Sequence, residues 1–304
     1  MLDSNDPEWN YEFAKEVKDP DLIKTHGQAV IDSKDLHWNF QFAKDIRRAD
    51  VKAHGQVIID SKDPEINYEF AKEIKGADIK AHGQAVIDSK DPYWNYLFAQ
   101  YFRTEADILA HGQAVIDSKD PKWNYEFAKG IEGADIKAHG QAVIDSKSPV
   151  MNYYFAKEIK GADIKGHGQA VIDSKDLSLN LKFAELKDAD VKGHGKVIIN
   201  SKEPKMNYVF VSNMIKCNKI EDVNFNAHAK VVIDSQDPEW NTEFAKLKGA
   251  NAQAHFNAIM ACGDKTYIDQ AKKDEVFMDI LNEEMLEDQL RNLVKTYKKT
   301  ELTR

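Results

Sequence analysis

One histidine recurs at the same place along the chain. His26, His54, His82, His111, His139, His167, His194, His228 and His255 are separated by 28, 28, 29, 28, 28, 27, 34 and 27 residues, and the only other histidine is His37. Self-similarity at a period of roughly 20–50 residues marks a repeat architecture, in which each unit buries its apolar face only against its neighbours. A globular chain of 304 residues would suggest about two domains. The period overrides that expectation in favour of a tandem array.

A clean unit reads IDSKDPEINYEFAKEIKGADIKAHGQAV, from Ile59 to Val86, and similar units start at Ile31, Ile87, Ile116, Ile144, Ile172, Ile199 and Ile233. The segment from Met1 is a ninth, adapted copy. Apolar residues fall at i, i+3, i+4 and i+7 rather than in alternation, which predicts helices. Asp63 precedes Pro64, a good N-cap followed by a residue whose missing N–H costs nothing at the first helical position. A first helix is expected to run to about Lys75, with Gly76 ending it in the left-handed conformation. Asp78 caps a second helix from Ile79 to about Ser89. Projection at 100° per residue places Ile66, Asn67, Phe70, Ala71 and Ile74 on the inner face of the first helix. Ile79, His82, Gly83, Val86 and Ile87 form the inner face of the second. The expected fold is an all-α solenoid of about nine two-helix repeats over residues 1–260, followed by C-terminal capping helices over 261–304.

Composition narrows the function classes. A net charge of −9 makes nucleic acid an unlikely partner. Cys217 and Cys262 are isolated, which excludes a disulfide framework and suits a reducing, cytoplasmic compartment. The segment MLDSNDPEWNYEF has neither a basic n-region nor an apolar h-region, so no signal peptide is expected. No apolar run approaches the ~18 residues of a membrane span.

Three ladders carry the candidate chemistry. The first is histidine, including His54, His82, His111, His139 and His167, followed by glycine in seven units. Glycine inside a helix costs ~1 kcal/mol against alanine, so its recurrence implies close approach by the backbone of a neighbouring helix. Successive units of a helical solenoid lie roughly 10 Å apart, too far for two imidazoles to share one ion at about 2.0–2.1 Å; no metal and no cofactor are expected. The second ladder is asparagine, including Asn67, Asn95, Asn124 and Asn152. A polar side chain near the core needs hydrogen bonds, and the histidine of the unit or an inter-repeat carbonyl are the candidate partners. All five tryptophans, Trp9, Trp38, Trp94, Trp123 and Trp240, each precede an asparagine of this ladder, in a slot that elsewhere takes Ile66 or Met151, which reads as packing. The third ladder, Asp60-Ser61-Lys62 and its copies, reads as turn chemistry. A catalytic site needs unique, mutually oriented residues, and no nucleotide-binding, zinc-protease or serine-hydrolase motif is present; the protein is expected not to be an enzyme.

The period breaks point to partner binding. The unit from Ile87 is one residue longer and brings Tyr93, Tyr101, Phe102 and Arg103, extra aromatics with an arginine of the kind that makes binding hot spots. An insertion of about six residues falls within VSNMIKCNKIEDVNFNAHAK and is expected as a longer surface loop between helices. From Ile268 to Tyr297 a stripe of Val276, Phe277, Ile280, Leu281, Met285, Leu290, Leu293, Val294 and Tyr297 predicts one or two longer amphipathic helices that cap the array or, alternatively, serve dimerisation or a partner.

The core Phe70 to Lys80, F-A-K-E-I-K-G-A-D-I-K, resembles the tandem ~28-residue helical-hairpin repeats of uncharacterised bacterial and phage proteins, over residues 1 to about 260. The resemblance implies an α-solenoid and brings no function with it; in those repeats the slot of His82 is an ordinary apolar residue. The asparagine ladder is also similar to that of armadillo repeats, which grip an extended peptide, although here Trp and Asn are adjacent in sequence and the units are shorter. The function expected is a non-enzymatic scaffold for a protein or peptide. The alternative is a phage or mobile-element inhibitor that sequesters a host protein or nucleotide.

Overall fold

A computed structural model describes residues 5–301, with the side chains of 284, 288 and 293–301 outside the description. The described residues form twenty α-helices and one short 3-10 turn, with no strand among them. The first helices of the hairpins are α1 (Pro7–Glu16), α3 (Leu36–Asp45), α5 (Pro64–Glu73), α7 (Pro92–Tyr101), α9 (Pro121–Gly130), α11 (Pro149–Glu158), α13 (Leu177–Ala184), α15 (Pro204–Lys216) and α17 (Pro238–Ala245). Their second helices are α2 (Pro20–Ser33), α4 (Val51–Ser61), α6 (Ile79–Ser89), α8 (Ile108–Asp117), α10 (Ile136–Asp145), α12 (Ile164–Ser174), α14 (Val191–Ser201), α16 (Phe225–Ser235) and α18 (Ala252–Ala261). Two further helices follow, α19 (Lys265–Ala271) and α20 (Glu275–Glu301). The fold is an all-α solenoid of helical hairpins. The chain forms two compact units, Met1–Ala170 and Val171–Arg304.

The caps explain the helix boundaries. The Asp63 side chain accepts from the backbone N–H groups of Glu65 and Ile66, with Pro64 at the first position, and Asp78 accepts from that of Ala81. α5 ends at Glu73, two residues earlier than the pattern suggested. Ile74 leaves the helix in extended conformation to bury its side chain, and Gly76 at φ +91° carries the reversal. Second helices end on a left-handed lysine instead of a glycine: Lys34, Lys62, Lys90, Lys119, Lys147, Lys175 and Lys202 lie at φ 56–58°. The adjacent serine holds that turn. Ser89 Oγ donates to the Val86 carbonyl at 2.7 Å and accepts from the Asp91 N–H at 3.2 Å. A helix C-terminus leaves carbonyls without intrahelical partners, and Asp-Ser-Lys is the chemistry that satisfies one of them.

From the second hairpin on, each buries one phenylalanine completely, from Phe42 and Phe70 through to Phe244, together with one branched residue of the second helix such as Ile58 or Val86. The glycines that follow His26, His54, His82, His111, His139 and His194 make room for side chains, not for backbone as the sequence suggested. A Cβ on Gly83 would stand 2.9 Å from the Phe98 ring and 3.5 Å from His111 Nε2, both from the following hairpin. Gly27, Gly55, Gly112, Gly140 and Gly195 meet the equivalent pair. The tryptophan slot is a half-buried seam on the first-helix layer, where Trp38 lies on Tyr11 and Trp94 on Tyr68, with ring centroids 5.2 and 5.7 Å apart.

In the second unit two irregularities compensate each other. α13 has eight residues and ends early at Ala184, whereas α15 has thirteen. Against α5 and α6, the insertion adds three residues to the helix and three to the connection, where the 3-10 turn Ile220–Asp222 forms, so the expected longer loop accounts for only part of it. It brings Lys219 to the end of α13, where Nζ donates to the carbonyls of Ala184 at 3.0 Å, Glu185 at 3.3 Å and Leu186. A cation suits the partial negative charge of a helix C-terminus.

The C-terminal helices start with repeat chemistry. Cys262 takes the serine slot, its Sγ accepting from the Asp264 N–H, and Asp264 caps α19. Phe256 stands where earlier units have glycine, and its ring meets that of Phe277 at 5.3 Å. With no further hairpin to insert a phenylalanine and a histidine, the last second helix fills that space itself. Val276, Ile280 and Leu281 join the same cluster, but Met285 and Leu290 do not continue the packed stripe, at 60% and 55% exposed. Leu293, Val294 and Tyr297 lie outside the described side chains.

Candidate functional site

The histidine ladder is buried in full, with every member from His26 to His255 at most 3% exposed. Within each hairpin the histidine meets the asparagine, as in His54 with Asn39, His82 with Asn67, His111 with Asn95, His139 with Asn124 and His167 with Asn152, at 2.7–2.8 Å from Nδ1 to Oδ1. The asparagine amide nitrogen is committed elsewhere. Asn67 Nδ2 donates to the Ile58 carbonyl of the preceding hairpin at 2.9 Å and to the Asp63 carbonyl at 2.8 Å. Those two bonds fix the amide orientation, so Oδ1 faces the imidazole and the imidazole proton sits on Nδ1. Nε2 is then a bare acceptor. For His54, His111, His139, His167, His194, His228 and His255 it is buried with no hydrogen-bond partner among the described residues. Burial lowers the pKa of these seven and of His82 to about 4, partly offset by the N-cap aspartate at His54, His82, His111, His139, His167 and His194. The ring also stacks on the phenylalanine of its hairpin, at 4.8 Å between His82 and Phe70. The ladder is thus a neutral structural element. Among the described residues no group of three or more His, Cys, Asp or Glu side chains is placed to hold a metal ion.

The period break at α7 divides the four residues singled out there. Tyr93 and Tyr101 are 41% and 55% exposed, and Arg103 is exposed with Nε donating to the Gln100 carbonyl at 3.3 Å. Phe102 is not part of that surface. It is 5% exposed and packs on Phe98 and Tyr68, with ring centroids 4.5 and 6.3 Å apart. It occupies the slot of Ile74, so the repeat register was the signal that would have placed it in the core. The extra residue has a local cause as well. Other units reverse through Gly76, Gly133 or Gly161 at φ +83 to +91°. The Arg103-Thr104-Glu105 turn has no glycine and takes one residue more.

Tyr93 and Tyr101 sit among other aromatics and cations. The Tyr93 ring lies 5.2 Å from that of Trp123 in the next hairpin, and Lys122 Nζ lies 4.6 Å from the same indole. Tyr101 stands 6.0 Å from Tyr68, with Lys72 Nζ 5.9 Å from the Tyr101 ring. Sequence reasoning missed Val150 and Tyr154, which are 47% and 41% exposed on α11 in the slots of Tyr93 and Leu97. They stand in slots that are polar in most other units, and that was the available signal. Because α9 packs against both α7 and α11, three consecutive first helices present these groups on one layer.

A cavity of about 300 Å³ opens at the ends of α7 and α9, lined by Ala99, Arg103, Thr104, Ile108, Gly130 and Glu132, and three larger ones lie in the second-helix layer. One of about 460 Å³ at the first break is lined by Ile79, Lys80, Gly83, Phe98, Glu105 and His111. One of about 540 Å³ at the insertion is lined by the equivalent Val191, Lys192, Gly195, Phe210, Asp222 and His228. A groove of about 830 Å³ also lies between α2 and α4, where the period is regular. Such openings therefore belong to the helix seam and are not peculiar to the breaks. No described helix is long and apolar enough to cross a membrane. Known family models, curated proteins and solved structures contain no match to this chain.

Proposed function

We propose that the protein is a non-enzymatic binding scaffold that recognises a protein or peptide through the first-helix layer of α7, α9 and α11. The observation that carries this reading is the row of exposed tyrosines on that layer: Tyr93 beside Trp123 and Lys122, Tyr101 beside Lys72 of α5, and Tyr154 on α11. Tyrosine, tryptophan and basic side chains on a rigid element supply contact area at low entropic cost, and such residues dominate binding energy at interfaces. A helical-repeat layer presents them in fixed register. The partner that fits is a segment with apolar side chains to lie on the rings and acidic or carbonyl groups to meet the lysines and Arg103. The compartment proposed is the cytoplasm, in keeping with two free cysteines and the reducing conditions that preserve them.

The test is a paired capture from the source cell with the wild-type chain and a Tyr93→Ala/Tyr101→Ala variant as baits. A partner enriched on the wild type and lost on the variant is the expected result. Identical captures sink the reading. Capture of a nucleotide, identified by mass spectrometry and released equally from both baits, assigns the function to the second-helix cavities and to the sequestering role.

A further inference from the structure

α20 leaves the core of its own unit partway along its length. Val276, Phe277, Ile280 and Leu281 pack with Phe256 and Ile259 of α18. Past that point the described apolar side chains face water: Met285, Leu286 and Leu290 are 60%, 59% and 55% exposed, and Met278 on the packed portion is 44% exposed. Singly exposed apolar residues are ordinary. Four on one helix of 27 residues, about 40 Å long at 1.5 Å per residue, are a face in need of cover.

The charges say what covers it. In sequence, residues 275–288 carry six acids and no base, whereas 289–301 carry four bases and one acid. The helix is therefore negative over its first half and positive over its second. This order also opposes its own macrodipole less than the reverse would, with acids toward the N-terminus and bases toward the C-terminus. A helix with this charge order has one natural complement, the same helix turned end for end.

We infer that the solvent-facing side of α20 pairs antiparallel with α20 of a second copy of the chain. A two-fold axis near Gln289 sets the acidic half of each copy along the basic half of the other and brings the Leu286 and Leu290 patches together. Parallel pairing would place six acids against six acids, and like charges across an interface are strongly disfavoured. Self-complementary patches related by a two-fold axis are the commonest form of homo-oligomer contact. The internal Glu287–Arg291 pair, at 3.1 Å with both side chains about 70% exposed, is weak and is free to exchange partners across the axis.

Sedimentation equilibrium of the full chain, up to several hundred micromolar, tests this. The expected mass rises with concentration to twice the 34.6 kDa of one chain. Leu286→Lys/Leu290→Lys and Lys295→Glu/Lys298→Glu/Lys299→Glu are each expected to hold the protein at one chain mass with unchanged far-ultraviolet circular dichroism. Carbodiimide cross-linking of an equal mixture of ¹⁴N and ¹⁵N protein reads the orientation: mixed-isotope links should join acids of 275–288 to lysines 295–299. A single-chain mass at all concentrations, a dimer indifferent to both variants, or the absence of mixed-isotope links between the two halves overturns the inference.

Discussion

His82 donates its Nδ1–H to Oδ1 of Asn67 at 2.7 Å, and Asn67 spends both amide hydrogens on the carbonyls of Ile58 and Asp63. One asparagine thus ties three elements: the end of the preceding hairpin, the start of its own first helix and the middle of its own second helix. Replacing His82 by leucine leaves Oδ1 buried and unsatisfied, at about 2 kcal/mol. Asn67→Leu strands the His82 Nδ1–H donor, whereas the Ile58 carbonyl keeps its bond from Ser61 Oγ and the Asp63 carbonyl keeps the one from the backbone N–H of residue 67; it is expected to cost about 2–3 kcal/mol. The double variant should cost less than the sum of the two by about 1–2 kcal/mol, measured as a denaturant double-mutant cycle. Strict additivity would show that the pair does not act as one element.

Acid should unfold the array earlier than carboxylate chemistry alone would. Folded histidines with pKa about 4, against 6.5 in an open chain, bind fewer protons than the unfolded chain between those values. Stability is therefore flat above about pH 6.5 and falls as the pH drops toward 4. At pH 5 each such histidine removes about 2 kcal/mol. Chemical denaturation from pH 7.5 to 4.5 measures the slope. A midpoint independent of pH down to 5 would contradict the buried neutral ladder.

Phe102 and Tyr101 are adjacent and should behave oppositely. Phe102→Ala opens a cavity between Phe98 and Tyr68 and is expected to destabilise the first unit by about 3–4 kcal/mol. Tyr101→Ala removes a side chain facing water and should stay within about 0.5 kcal/mol. Thermal melts of the two variants, side by side, decide the assignment.

Gly83→Ala adds a methyl 2.9 Å from the Phe98 ring, closer than carbon atoms pack. The gain of ~1 kcal/mol in helix propensity is outweighed by displacement of a fully buried ring, for a net loss of about 1–2 kcal/mol. An unchanged or higher melting temperature would mean that Phe98 can shift, as the seam at Ala229 already permits an alanine in the same slot.

Lys219→Met removes the ammonium from three carbonyls at the end of α13 and should cost about 1–2 kcal/mol. Hydrogen exchange is the direct readout. Amides at the ends of α13 and α15 should exchange faster, while those of α3 to α8 keep their protection.

The repeat made most of the fold legible. Aspartate before proline marked the helix starts, the period of the apolar residues gave the helical faces, and the shared recurrence of His82 and Asn67 predicted a buried pair. The register of one unit against another also held the assignment of Phe102 to the core, since it aligns with Ile74; its aromatic character drew attention to the surface instead. Val150 and Tyr154 were visible as apolar or aromatic residues in mostly polar slots, but only the packing of α9 between α7 and α11 showed that they share a layer with Tyr93.

Local chemistry, read within a few residues, is what the sequence by itself determined: caps, helix faces and the turn at each Asp-Ser-Lys. The tertiary structure decided relations between residues far apart along the chain. It showed that glycines such as Gly83 and Gly195 make room for the phenylalanine and histidine of the following hairpin, that Phe256 fills that space where no hairpin follows, and that Lys219 reaches the carbonyls left by a shortened α13. Such pairings depend on which surfaces stack, and stacking is set by shape and burial summed over whole helices, which no single segment of the sequence contains.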